Sequence, residues 1–103
     1  MRRIITEKRL AQYAEKFPRA KASLAHWKKT VLASPWQKTA DVKSSFGDVD
    51  TVKVNSGQTV FVFNIQRNAH HLIAAIHFDR DTVYVLRLLT HKEYDKYLWK
   101  NQL

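Results

Sequence analysis

Hydrophobic positions change period once along the chain, near Val52, and the change divides a helical first half from a sheet-forming second half. Leu10, Tyr13, Ala14 and Phe17 recur at helical spacing behind Thr6, whose hydroxyl suits an N-cap. Pro18 at a first helical position opens a second helix, with Leu24, Trp27 and Val31 on one stripe, and Ser34-Pro35 ends it. Arg2 to Ile5 predicts a short edge strand ahead of this pair. Asp41 predicts the cap of a short helix ending near Phe46, before a turn at Gly47-Asp48. Beyond Val52, Thr59 to Ile65 alternates Val60, Val62 and Asn64 with Phe61, Phe63 and Ile65. Gln66 to Asn68 reads as a turn. His70 to Phe78 is apolar on both faces, which predicts a central strand. Asp79-Arg80-Asp81 turns the chain into a strand over Thr82 to Leu89, and a last helix packs through Tyr97, Leu98 and Trp99. The order β-α-α-β-β-β-α predicts a single α+β domain over residues 1–103. It is an antiparallel sheet with helices on one face: an N-terminal helical hairpin and a C-terminal helix.

Composition narrows what such a domain does. The 103 residues carry 18 Lys+Arg against 9 Asp+Glu, a net +9, so a polyanion or an acidic partner is the expected ligand. With no cysteine, disulfides, thiol catalysis and cysteine-ligated zinc are excluded, and 2 Gly leave no material for a glycine-rich phosphate loop. No apolar run approaches the roughly 20 residues of a membrane span. Met1-Arg2-Arg3-Ile4-Ile5 turns polar at Thr6 rather than continuing as a signal-peptide core. A cytoplasmic location is expected, without membrane association.

The densest chemistry follows the last strand, in Thr90-His91-Lys92-Glu93-Tyr94-Asp95-Lys96-Tyr97. Thr90 and Glu93 fit a capping box, so strand passes to helix there. His91 falls in the first helical turn, with Tyr94 and Asp95 three and four residues on, roughly on one face. A histidine and a tyrosine at a helix start, beside a sheet in a basic domain, suggest a phosphate-handling site that uses backbone N–H groups of the helix N-terminus.

Phe17-Pro18, Trp27, Trp36, Asp41-Val42-Lys43, Phe46, Phe63-Asn64-Ile65, Asn68, Leu72-Ile73, Val83-Tyr84 and Thr90-His91-Lys92-Glu93-Tyr94-Asp95-Lys96 resemble, in order and spacing, the HigB toxins of the RelE-like group. The resemblance runs from about Phe17 to Tyr97, and the segments F-N-I-x-x-N and T-H-x-E-Y-D-K together make it specific. It implies the RelE-like fold and an endoribonuclease that cuts messenger RNA on the ribosome. It further implies a HigA-type helix-turn-helix antitoxin, through whose complex the toxin reaches operator DNA. The alternative it leaves open is a non-catalytic binder, either a ParE-like gyrase inhibitor or a degenerate toxin that binds only antitoxin and operator DNA. Two positions depart from the family pattern. His70-His71 stands where the family carries Tyr-Arg, and Leu86 stands where it carries an arginine five residues before the histidine, the arginine here being Arg87. A one-residue shift in a strand moves a side chain to the opposite face. Either a bulge restores Arg87, or the site has lost a cation.

Metal-independent RNA cleavage needs a base for the 2′-OH, cations for the phosphorane and an acid for the leaving 5′-oxygen. His91 can serve as base or acid, with Asp95 orienting its ring. Tyr94 can donate a proton, stack on a base, or simply pack the helix. His70 and His71 face opposite ways in a strand, and His71, at the family's arginine position, is the one expected in the site. Arg87, His71 and Arg67 are expected to supply positive charge from the sheet. Lys53, Arg80, Lys92 and Lys96 are further candidates for RNA contact. No metal or cofactor is expected. His71 and His77 stand roughly 20 Å apart along a strand, and the Asp48/Asp50 and Asp79/Asp81 pairs lie at turns, where Asp bonds local backbone. Phe61 and Phe63 could stack bases, but their apolar setting predicts core packing, and His26 reads as an ordinary helix residue.

Overall fold

The computed structural model describes residues 3–96 and 98–103. Strand β1 (Arg3–Ile5) leads into helix α1 (Lys8–Lys16), then a 3-10 turn at Pro18–Ala20, helix α2 (Lys21–Ala33) and short helix α3 (Thr39–Ser45). Strands β2 (Asp50–Lys53), β3 (Thr59–Ile65), β4 (His70–His77) and β5 (Thr82–Thr90) follow. Helix α4 (His91–Asp95) and a 3-10 helix at Leu98–Gln102 complete the order. Arg2 and Tyr97, which the pattern puts in the first strand and in the packing surface of the last helix, lie outside the described residues.

The strands form one sheet in the order β1-β5-β4-β3-β2, with β4 central, as its two-sided apolar sequence predicts. Strands β2 to β5 pair antiparallel. The sheet is nonetheless mixed, because β1 joins β5 in parallel, Ile4 opposite Val83. A three-residue strand carries no direction signal in its sequence, and the return through α1 and α2 sets the direction it takes. Thr6 caps nothing. It adopts a left-handed conformation (φ 66°), and Glu7 occupies the N-cap of α1 without a side-chain bond. Asp41 works from inside α3 rather than ahead of it, its Oδ2 accepting from the N–H groups of Gln37 and Lys38 at 2.8 and 3.2 Å.

One face of the sheet carries the larger core. Phe61, Phe63, Ile65, Leu72, Ala74, Val83 and Val85 pack against Leu10, Leu24, Trp27 and Val31 of the helical hairpin. Phe61 and Phe63, 5% and 1% exposed, belong to this core and offer no stacking surface. The opposite face is also covered, contrary to a one-sided helical layer. Trp99 sits there with Val54, Val60, Val62 and Ile73, and Leu86, Leu89, Tyr94 and Leu103 pack around it. The chain passes over the end of the strands after β5, so the C-terminal helical segment roofs the second face.

Candidate active site

Three features bring the candidate residues together on the second face. The first is the capping box. The Glu93 N–H donates to Thr90 Oγ1 at 3.3 Å and the Thr90 N–H to Glu93 Oε1 at 3.0 Å, which starts α4 at His91. The Thr90 bond holds the Glu93 carboxyl below its usual range. The second is a link across the sheet end: the His91 N–H donates to the carbonyl of Ala69, in the β3–β4 turn, at 2.9 Å. The N–H groups of His91 and Glu93 are thus both engaged by the fold, which reduces the amides that the helix start can offer to a phosphate.

The third feature is a β-bulge. Ile73 pairs with Arg87 while Ala74 pairs with Val85, so Leu86 is the extra residue on β5. Residues directly opposite in antiparallel strands project to the same face. Arg87 therefore shares the face of Ile73, as does Leu86, which packs beside Trp99. The bulge puts Arg87 on the face of His71 despite the shifted position in sequence. Its guanidinium is half-buried and donates to the Leu86 carbonyl at 2.7 Å, and Arg9 of α1 donates to the same carbonyl.

The focus of the site is a line of three side chains. His91 Nε2 lies 3.1 Å from Asp95 Oδ2, and His91 Nδ1 lies 3.0 Å from Nε2 of His71. The carboxylate accepts from the Nε2–H of His91, so a single proton is shared between His91 Nδ1 and His71 Nε2, a tautomer assignment that follows from the hydrogen-bond network. Nδ1 of His71 is buried without a hydrogen-bond partner among the described residues. His71 is 3% exposed. Burial lowers its pKa, with His91 adding to the effect and Asp95 opposing it. At neutral pH the ring is thus uncharged, and the cation on this face is Arg87 rather than His71. Tyr94 stacks on His71 at 4.1 Å between ring centroids and on Trp99 at 5.4 Å, and the Trp99 indole N–H donates to its carbonyl at 3.2 Å. It both packs the helix and borders the site.

His71, His91 and Tyr94 line a cleft of about 350 Å³ with Asp48, Asn64 and Asn68. Asn64 is directly opposite His71 and donates to Asp48 Oδ2 at 3.0 Å. Neither Asn64 nor Asp48 stands out in the sequence as a site residue. The available signals are the place of Asn64 in the F-N-I-x-x-N segment and its standing as a lone amide in an otherwise apolar strand, an environment that disfavours asparagine.

The remaining candidates are dispersed. Arg67 is exposed in the β3–β4 turn next to the cleft, where it and Gln66 both adopt positive φ (62° and 51°). Lys92 and Lys96 are exposed on and just after α4. Lys53 pairs with Thr59, one residue out of step with the Val52–Val60 pair of the second face, so it projects to the first face. Arg80 sits in the turn at the far end of the β4–β5 hairpin, roughly 20 Å of strand from His71. These two do not join the cleft. His70, on the first face, is hydrogen-bonded through Nδ1 to the Tyr13 hydroxyl (2.8 Å), and His77 packs edge-on to Tyr84. Among the described residues no group of three His, Asp or Glu side chains is placed to hold a metal ion. No helix among them is long and apolar enough to cross a membrane.

A mixed sheet carrying a helical hairpin is an α+β architecture consistent with the RelE-like fold. The sequence model of the HigB toxin family, described as the RelE-like toxic component of a toxin–antitoxin system, matches residues 20–97. The chain belongs to the HigB toxin family. It is 32% identical over 92 residues to the mRNA interferase toxin HigB of Escherichia coli (strain K12), a match covering 89% of this chain and 86% of that protein. The mRNA interferase HigB proteins of Escherichia coli O157:H7 and Shigella flexneri match to the same extent.

Proposed function

We propose that this toxin is a metal-independent endoribonuclease that cuts messenger RNA on the ribosome and so arrests translation. The observation that carries the reading is the Asp95–His91–His71 line beneath a cleft whose sheet face also bears Arg87. The relatives' designation as mRNA interferases supplies the substrate class. In the reaction the His71–His91 hydrogen bond opens, the freed imidazole nitrogen takes the proton of the 2′-oxygen as that oxygen attacks the adjacent phosphorus, and the P–O5′ bond breaks. A 2′,3′-cyclic phosphate and a 5′-hydroxyl remain. A shared proton between two imidazoles suits a group that accepts a proton in one half of the step and returns one to the leaving oxygen in the other. Asp95 orients His91 for this exchange. Arg87, and Arg67 at the rim, offset charge that builds on the phosphorane. Tyr94 fixes the plane of the His71 ring.

The regulating partner in this reading is a HigA-type helix-turn-helix antitoxin whose complex with the toxin binds operator DNA, and the protein acts in the cytoplasm. Mapping transcript ends after induced expression tests the activity. New 5′ ends in messenger RNA are expected, and a His91→Ala Tyr94→Phe variant should be tolerated. Growth arrest without new ends would instead favour a non-catalytic binder, such as a ParE-like gyrase inhibitor.

A further inference from the structure

His70 and His71 are consecutive residues of β4 with opposite destinations. His71 turns into the cleft, and His70 lines a second cavity of about 370 Å³ on the other face of the sheet. Lys16, Phe17 and Arg19 from the α1–α2 corner and Gln66 from the β3–β4 turn complete its walls. The turn is common to both cavities: Asn68 borders the cleft, Gln66 and Ala69 border the pocket, and the Ala69 carbonyl holds His91. Arg67 projects from its exposed tip.

The lining has the chemistry of a nucleotide site. Lys16 and Arg19 are exposed cations at the rim, with Lys16 lying 5.5 Å from the centroid of the Phe17 ring. Glu93 is the nearby counter-charge, and its carboxylate is already engaged by Thr90. Phe17 and His70, 5.0 Å apart, form an aromatic wall. Burial pushes the Tyr13 hydroxyl up to about 12, so it keeps a proton to donate to His70 Nδ1, 2.8 Å away, in the tautomer that carries the ring proton on Nε2. Burial also lowers the pKa of His70, and the neutral ring then carries its proton on Nε2, a donor left for a ligand. Gln66 adds an amide, while its own backbone N–H is pinned by Ser23 Oγ at 2.9 Å. A neutral N–H donor, an amide and an aromatic wall recognise a base, and two flanking cations recognise phosphate. Packing of α1 on β4 accounts for Tyr13 and Phe17 but not for an open cavity rimmed by two cations.

We propose that the pocket of Lys16, Phe17, Arg19, Gln66 and His70 binds a nucleotide of the RNA strand flanking the one held in the cleft, with the backbone crossing the β3–β4 turn beside Arg67. The proposal rests on the cleft reading only in that the cleft holds RNA, and the test separates this from cleavage. Full-length protein carrying His91→Ala is titrated, by fluorescence anisotropy, into a labelled single-stranded RNA of about eight nucleotides at several salt concentrations. Adding Lys16→Gln and Arg19→Gln should weaken binding about tenfold or more. It should also reduce the slope of log affinity against log salt by about 1.4, two phosphates at about 0.7 each for a single strand. A control pair, Lys8→Gln and Lys21→Gln, removes the same charge from exposed positions outside the pocket and should change little. Equal weakening by both pairs, or none by Lys16 and Arg19, overturns the proposal. Cleavage by the unaltered protein is scored separately. If it cuts RNA while the Lys16/Arg19 pair has no effect, the pocket reading fails and the cleft reading stands. If it cuts none while that pair still weakens binding selectively, the cleft reading fails and the pocket survives.

Discussion

Nε2 of His71, in the central strand, lies 3.0 Å from Nδ1 of His91, the first residue of the last helix. Twenty residues separate them in sequence, and the capping box together with the His91–Ala69 backbone bond brings them into hydrogen-bond range. At that separation the two rings share one hydrogen bond, and Asp95, 3.1 Å from Nε2 of His91, completes the line of side chains on which the proposed cleavage rests.

Breaking that pair should abolish most of the activity. His91→Ala and His71→Ala are each expected to slow RNA cleavage by about 10²–10⁴-fold, the range of a lost proton-transfer group. The double variant should be little worse than either single one, because the two rings act as a unit. Single-turnover cleavage rates decide the point. Fully additive losses would mean that the histidines work independently.

The bulge yields a swap experiment. Arg87→Ala should cost about 10²–10³-fold in cleavage, as loss of one charge-stabilising donor does. Leu86→Arg combined with Arg87→Leu should restore most of the rate, since both positions face the site side. In a regular strand the swap would send the cation to the opposite face. A swap variant as inactive as Arg87→Ala would therefore contradict the geometry described.

Stability should fall on mild acidification. Burial lowers the pKa of His70 and of His71 below the ordinary value of 6.5. Below about 6.5 the unfolded chain binds protons that the folded one does not, so folding stability drops as pH falls through this value and is retained above it. Glu93, its carboxyl held below 4.5, contributes stability that is lost only at lower pH. Thermal melts at pH 7.5 and pH 5 should show a lower midpoint at pH 5. A His70→Gln His71→Gln variant should show a smaller difference, and an equal one would place the acid sensitivity elsewhere.

Trp99 anchors the roof of the site. It is 3% exposed, stacks on Tyr94 and bonds its carbonyl. Trp99→Ala should cost about 3–5 kcal/mol in urea unfolding. Cleavage should fall even under conditions where the variant remains folded, because Tyr94 and His91 lose their support. A loss below about 1 kcal/mol would mean that α4 docks without it.

What the sequence alone determined is what depends on a few neighbouring residues. The stripe of Leu24, Trp27 and Val31, the Thr90/Glu93 capping box, the two-sided apolar β4 and the opposite facing of His70 and His71 all follow from helical or strand periodicity. Family membership was equally legible, in F-N-I-x-x-N and T-H-x-E-Y-D-K. The tertiary structure decided everything that depends on pairing between distant segments. The parallel docking of β1 on β5 and the bulge at Leu86 are properties of a ladder, and Arg87 gains its facing only from the partner strand. The charge state of His71 follows from burial, which no local pattern encodes. Asn64 and Asp48 enter the cleft only because a turn and two strands meet there. Side-chain period is a local property of the backbone, whereas register, desolvation and the meeting of side chains are set by the fold as a whole.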